Sequence, residues 1–154
     1  MKGKRQKNYF LIGVAILLGA FAVWNAAWAA FVHFKYKPFV DKIPKVSGVY
    51  LLNEDGMDYS VKKPGYLSFE GNLGIIDKGN NAIVIWPKLF GETKYEIMIN
   101  TSKDKNIVKY FSIIIDKNGQ PTKNQYKDNA TKVWEENKEA IYRLIKSANE
   151  MWDL

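Results

Sequence analysis

The sequence predicts an α+β domain behind a single N-terminal transmembrane helix. The domain is expected to be an antiparallel meander of about six strands with a C-terminal amphipathic helix packed on it. Three observations predict this. Residues 9–32 run for 24 positions without a charge. From residue 48 the apolar residues recur at every second position, the mark of half-buried strands. After Asn118-Gly119 the apolar period lengthens to that of a helix.

The uncharged stretch is long enough to span, since about 20 helical residues cross the hydrocarbon core of a bilayer. Lys2, Lys4, Arg5 and Lys7 precede it, so residues 1–8 read as a short basic cytoplasmic tail and 9–32 as a signal anchor. Lys35, Lys37, Lys42 and Lys45 follow it closely, which balances the basic residues across the helix. The shortness of the tail decides the orientation: amino end inside, domain outside. These four lysines, interleaved with Phe34, Tyr36 and Phe39, are expected on anionic headgroups or as flanking charge. The alternative is cleavage near Ala29, where Ala27-Trp28-Ala29 has the small-x-small pattern of a signal peptide. That would release a secreted domain. Against it, the apolar run exceeds the about 7–15 residues of a signal h-region, and Trp24 and Trp28 suit a membrane interface. Within the helix, Ala15–Gly19 and Ala22–Ala26–Ala30 are small residues four apart. Such spacing admits a second helix closely, with Asn25 available to hydrogen-bond across the contact.

Residues 33–47 are expected as a linker, because Pro38 and Pro44 disfavour a continuous helix. The domain then occupies 48–154. Val49–Asn53 is the first strand, closed by Asn53-Glu54-Asp55-Gly56. Asp58–Lys62 follows and ends at Lys63-Pro64-Gly65, with Lys62 and Lys63 in a solvated turn. Tyr66–Glu70 reads as a strand with Leu67 and Phe69 on one face. Gly71-Asn72 then suits a two-residue hairpin loop, returning through Leu73–Asp77. Ala82–Trp86 is stopped by Pro87 or placed at an edge by it. Tyr95, Ile97 and Ile99 alternate with polar neighbours. Ile107–Asp116 is apolar on both faces in its second half, which predicts a central position.

The terminal helix is expected to start at Thr122, in a capping box with Gln125, or at Asp128. Tyr126, Ala130, Val133, Trp134, Ile141, Leu144, Ile145, Ala148 and Trp152 form its apolar stripe. Charged residues, including an i,i+4 Glu139–Arg143 pair, cover the other side. A small barrel closed by this helix is the rival architecture.

Composition bounds the chemistry. The net charge is +7, of which the first seven residues carry four. The remaining +3 on a mixed surface gives nucleic-acid binding little support. The chain has no cysteine, which removes disulfides, thiolate catalysis, cysteine metal sites and lipoprotein modification. Lysine outnumbers arginine 21 to 2 and asparagine occurs 13 times, a bias that suggests an AT-rich bacterial genome. His33, the one histidine, has no partner in sequence for a triad or a metal site. No phosphate loop, dinucleotide fingerprint or zinc helix occurs, so no cofactor is expected. NEDGMD at 53–58 lacks calcium-loop spacing and reads as a turn. Among carboxylates, Glu70, Asp77, Glu92, Glu96 and Asp116 lie on or beside strands, and a glycosidase needs only two that converge.

The stretch Trp86-Pro87-Lys88-Leu89-Phe90-Gly91 offers a different chemistry. Trp86, Pro87, Leu89 and Phe90 expose an apolar anchor for a partner unless the loop folds back on the core. The sequence therefore favours a non-enzymatic, membrane-anchored domain that binds another membrane or envelope protein, as an assembly subunit or an immunity-type inhibitor. A lipid or small-molecule carrier with a cavity, and a carboxylate-dependent envelope hydrolase, are the alternatives.

Overall fold

The computed structural model describes residues 2–66, 68, 70–88, 91–102, 104, 107–122 and 127–154, with the backbone alone for 2–7, 127 and 128. The chain divides into two compact units, one ending at Lys35 and one spanning Tyr36–Leu154. Helix α1, Lys2–Val40, provides all of the first. From Asn8 to Val40 it is long and apolar enough to cross a membrane.

Pro38 lies inside α1 rather than ending it. The proline forfeits one intrahelical bond, to the Phe34 carbonyl, and the helix stops two residues later, so the loss falls in the last turn. Lys37 and Asp41 pair across that turn at 2.5 Å. Residues 36–43, expected in a linker, supply three core side chains of the second unit: Tyr36, Val40 and Ile43.

The second unit is built on seven antiparallel strands. They are β1 (Lys45–Val46), β2 (Val49–Glu54), β3 (Met57–Lys62), β4 (Asn72–Asp77), β5 (Ala82–Trp86), β6 (Lys94–Asn100) and β7 (Tyr110–Ile115). Each pairs with the next in sequence, giving an open meander in the order β1 to β7. The sheet does not close into a barrel. Two of its turns are two-residue loops with both positions left-handed, as a type I′ hairpin requires. These are Ser47-Gly48 (φ 50° and 89°) and Asp55-Gly56 (φ 51° and 75°).

Three sequence expectations fail in the sheet. First, Tyr66–Glu70 is not a strand: Tyr66 sits in a turn, Ser68 and Glu70 lie outside any strand, and Leu67 and Phe69 fall outside the described residues. Second, Gly71-Asn72 is therefore no hairpin loop, because β3 pairs directly with β4 from Lys62↔Asn72 to Met57↔Asp77. Gly71 serves a close approach instead, since a Cβ there would strike the Lys62 carbonyl and the Tyr36 ring. Third, the last strand is an edge, not the centre. Its outer side is partly covered by its own continuation: Pro121 bridges Ile115, and Thr122 donates its N–H to the Ile114 carbonyl at 3.0 Å. Thr122 is thus engaged with β7, while Gln125, its partner in the expected capping box, and Tyr126 lie outside the described residues.

The C-terminal region forms two helices, α2 (Lys127–Glu136) and α3 (Lys138–Trp152), rather than one. Asp128 falls within α2 instead of preceding it. Asn137 makes the break: its φ/ψ of −119°/16° leave the helix, and its Nδ2 donates to the Val133 carbonyl at 2.8 Å. Side-chain competition of this kind disfavours asparagine in helix interiors.

One sheet face is sealed. Leu73, Ile75, Ile83, Ile85, Ile97, Ile99 and Ile113 are at most 1% exposed, and α3 sets Ile141, Leu144, Ala148 and Trp152 against them. Each such side chain contributes about 1.5–3 kcal/mol by burial. Trp152 meets Tyr59 edge-on at 6.1 Å, and the Trp134 indole donates to the Gly119 carbonyl at 2.8 Å.

Candidate functional site

The opposite face of the sheet carries no helix among the described residues. Its side chains follow from the register. Across the middle run Leu51, Ser60, Gly74, Val84, Glu96 and Ile114. The next row is Asn53, Asp58, Ile76, Ala82, Met98 and Ser112. At the centre the residues are small. Ser60, Gly74 and Ala82 form a shallow saddle, and a Cβ on Gly74 would come within 2.8 Å of the Ser60 hydroxyl. Larger apolar side chains share this face: Ile76, Val84, Met98 and Leu51 lie near the small residues, while Trp86 stands at the end of β5 and Ile114 beyond Glu96. Ile76 and Ile114 are about two-fifths exposed, Leu51 slightly more, and Val84, Met98 and Trp86 are half-buried. Glycine inside a strand costs about 0.5–1 kcal/mol relative to alanine and often marks close approach of another backbone.

Trp86 stands at the end of β5 on this open face and lines a shallow groove of about 220 Å³ with Glu70, Lys94, Tyr95, Glu96 and Ile114. The register sets Tyr95 beside Ile85 and Ile115, the row of the covered face, and partial burial raises its hydroxyl pKa above the ordinary value. Pro87, expected beside Trp86 as surface, is fully buried, and its carbonyl accepts a bond from the Tyr36 hydroxyl at 3.1 Å. The same hydroxyl accepts the Gly71 N–H at 3.0 Å. Tyr36 thereby ties the β3–β4 connection to the end of β5. Leu89 and Phe90 lie outside the described residues, so the expected patch is represented by Trp86 alone. The strip from Ile76 to Ile114 was not singled out from sequence. A period-two reading assigns residues to alternate faces but does not say which face a helix leaves bare.

Two of the five candidate carboxylates are occupied by structure. Asp77 is 6% exposed. One of its oxygens accepts the N–H groups of Gly79 and Asn81, and the other meets Asn81 Nδ2 and Arg143 at 2.9 Å. Asp116 accepts the N–H groups of Asn118 and Gln120 and so closes the turn after β7. Asn53 donates to Asp58 at 2.6 Å across the Asp55-Gly56 hairpin, which accounts for the NEDGMD stretch as a turn. Glu92 and Asp116 border a wide, open depression of about 790 Å³ with Lys88, Lys94 and Lys117, a mixed-charge rim. Among the described residues no cluster of three histidine or carboxylate side chains is placed to hold a metal.

In α1, Ala15, Gly19, Ala22 and Ala26 are exposed, and a Cβ on Gly19 would meet nothing within 4 Å. Asn25 donates to the Phe21 carbonyl at 2.7 Å, one turn back in its own helix. His33 stacks edge-on with Phe34 at 5.5 Å. Lys35, Lys37, Lys42 and Lys45 are all exposed, Lys37 in its pair with Asp41 and Lys45 over the Tyr50 ring. No family model, no curated protein and no solved structure matches this chain.

Proposed function

We propose that this chain is a single-pass membrane protein whose outer domain binds a second membrane or envelope protein through the open sheet face. α1 supports the membrane half of this reading: its mean hydropathy reaches 2.1 over an 18-residue window, and it runs unbroken through Ala29 to Val40. A helix continuing so far past the small-x-small pattern favours a retained anchor over a cleaved peptide. The direction, amino end inside, rests on the basic residues Lys2, Lys4, Arg5 and Lys7 ahead of the apolar run.

The observation that carries the binding half is the group of small residues Ser60, Gly74 and Ala82 bordered by Ile76, Val84 and Met98, with Ile114 exposed further along the same face beyond Glu96. Small residues bordered by larger apolar ones fit a protruding element of a partner, and that is where binding energy concentrates. The occupied states of Asp77 and Asp116 weigh against a hydrolase built on those two acids. The Ile76→Lys/Ile114→Lys variant tests the reading. It is expected to reach the membrane and melt like the parent, yet to lose the partner crosslinked to the parent in intact membranes. An unchanged crosslinked partner would remove the open face as the binding site.

A further inference from the structure

The β1–β2 hairpin combines an apolar tip with a basic collar. Val46 and Val49 flank the Ser47-Gly48 turn and are 52% and 49% exposed. Behind them, Lys45 and Lys63 place their ammonium groups 5.8 and 5.4 Å from the centroid of one ring, that of Tyr50. The electron-rich faces of the ring attract each cation, so two like charges from separate elements are held beside one ring. Among the described residues neither lysine is in an ion pair. The cations are left for an external anion.

We propose that this hairpin is a second membrane contact, in which Val46 and Val49 enter the interfacial layer while Lys45 and Lys63 bind the phosphates of anionic lipid headgroups. The inference rests on the anchored reading of α1. Two arguments select lipid as the occupant. A basic collar behind exposed apolar residues is complementary to the anionic surface and apolar interior of a bilayer, the combination used by interfacial segments. Connectivity adds to this: from Val32, the end of the uncharged run, to Val40 is about 12 Å of helix, and from there to Val46 at most roughly 21 Å of extended chain.

The absence of native cysteine makes the test direct. Full-length chain carrying Val46→Cys, or separately Val49→Cys or Leu18→Cys, is labelled with an environment-sensitive fluorophore. It is then reconstituted in vesicles of phosphatidylcholine alone or mixed with phosphatidylglycerol. In the anionic vesicles the position 46 and 49 probes are expected to be quenched by spin-labelled lipid and shielded from iodide. Adding Lys45→Gln and Lys63→Gln should reverse this, each lysine lowering the ratio of seated to free hairpin about five-fold. Pure phosphatidylcholine should behave like the double variant. If the hairpin probes are equally open to iodide in both vesicles while the Leu18 probe is quenched by lipid, the hairpin contact is overturned and the anchor stands. If the Leu18 probe is not quenched by lipid either, the anchored reading falls and this inference with it.

Discussion

The two faces of the sheet are made by alternate residues of the same strands, yet they obey different rules. On the helix-covered face, β4 and β5 present Leu73, Ile75, Ile83 and Ile85, none more than 1% exposed. On the other face the same strands present Gly74, Ile76, Ala82 and Val84, which mix small with large and buried with open. The first pattern is what close packing demands, large aliphatics in every position. The second is poor packing for a face that ends in water. The difference shows that burial, and with it stability, is concentrated on one side of the sheet, and it is the other side that the proposed partner would use.

Substitutions that move between the faces sharpen this contrast. Leu73→Ala leaves a cavity in the centre of the sealed face and is expected to cost about 2–5 kcal/mol in denaturant unfolding. A loss no larger than that of an open-face change would erase the distinction. Tyr36→Phe keeps the ring but removes the hydroxyl that joins Gly71 to Pro87. Leaving the Gly71 N–H unsatisfied is expected to cost about 1–3 kcal/mol by the same measurement. Arg143→Ala should cost about 1 kcal/mol or less, because the arginine side chain is 58% exposed and such pairs are screened. The Asp77 turn bonds remain in that variant. Smallest in stability is Ile76→Lys/Ile114→Lys, within about 0.5 kcal/mol per site, although its effect on partner capture is expected to be complete.

Much of the fold was legible because the sealed face writes itself into the chain. The alternation of Ile97 and Ile99 with Met98, and of Ile83 and Ile85 with Val84, places strands within a residue or two of their observed ends. The misreadings share a cause in long-range contacts. Gly71 looked like a turn residue, but it is small because the Tyr36 ring and the Lys62 carbonyl lie against it. Tyr36 itself was assigned to a linker, since nothing local marks it as core. Ile107–Asp116 looked central because Ile113, Ile114 and Ile115 are apolar on both faces. The structure makes it an edge, with Ile114 about two-fifths exposed on the open side. Asn137 interrupts a stripe whose 3.6-residue period continues across the break, so the pattern of α2 and α3 alone conceals two helices. The open-face strip was within reach of the same alternation, but an uncovered face is a property of where helices dock.

The strictly sequential order of the strands also bears on how the domain comes into being. Each strand finds its partner in the segment synthesised immediately before it, so every hairpin closes a short loop and none waits for a distant one. A chain that emerges progressively during synthesis can therefore extend its sheet one strand at a time. The isoleucine-rich face stays wet throughout that growth, because α3, whose Ile141, Leu144 and Trp152 cover it, arrives last. Completion of the domain waits on α3, and a chain truncated before residue 138 would leave the apolar side of its strands open to aggregation.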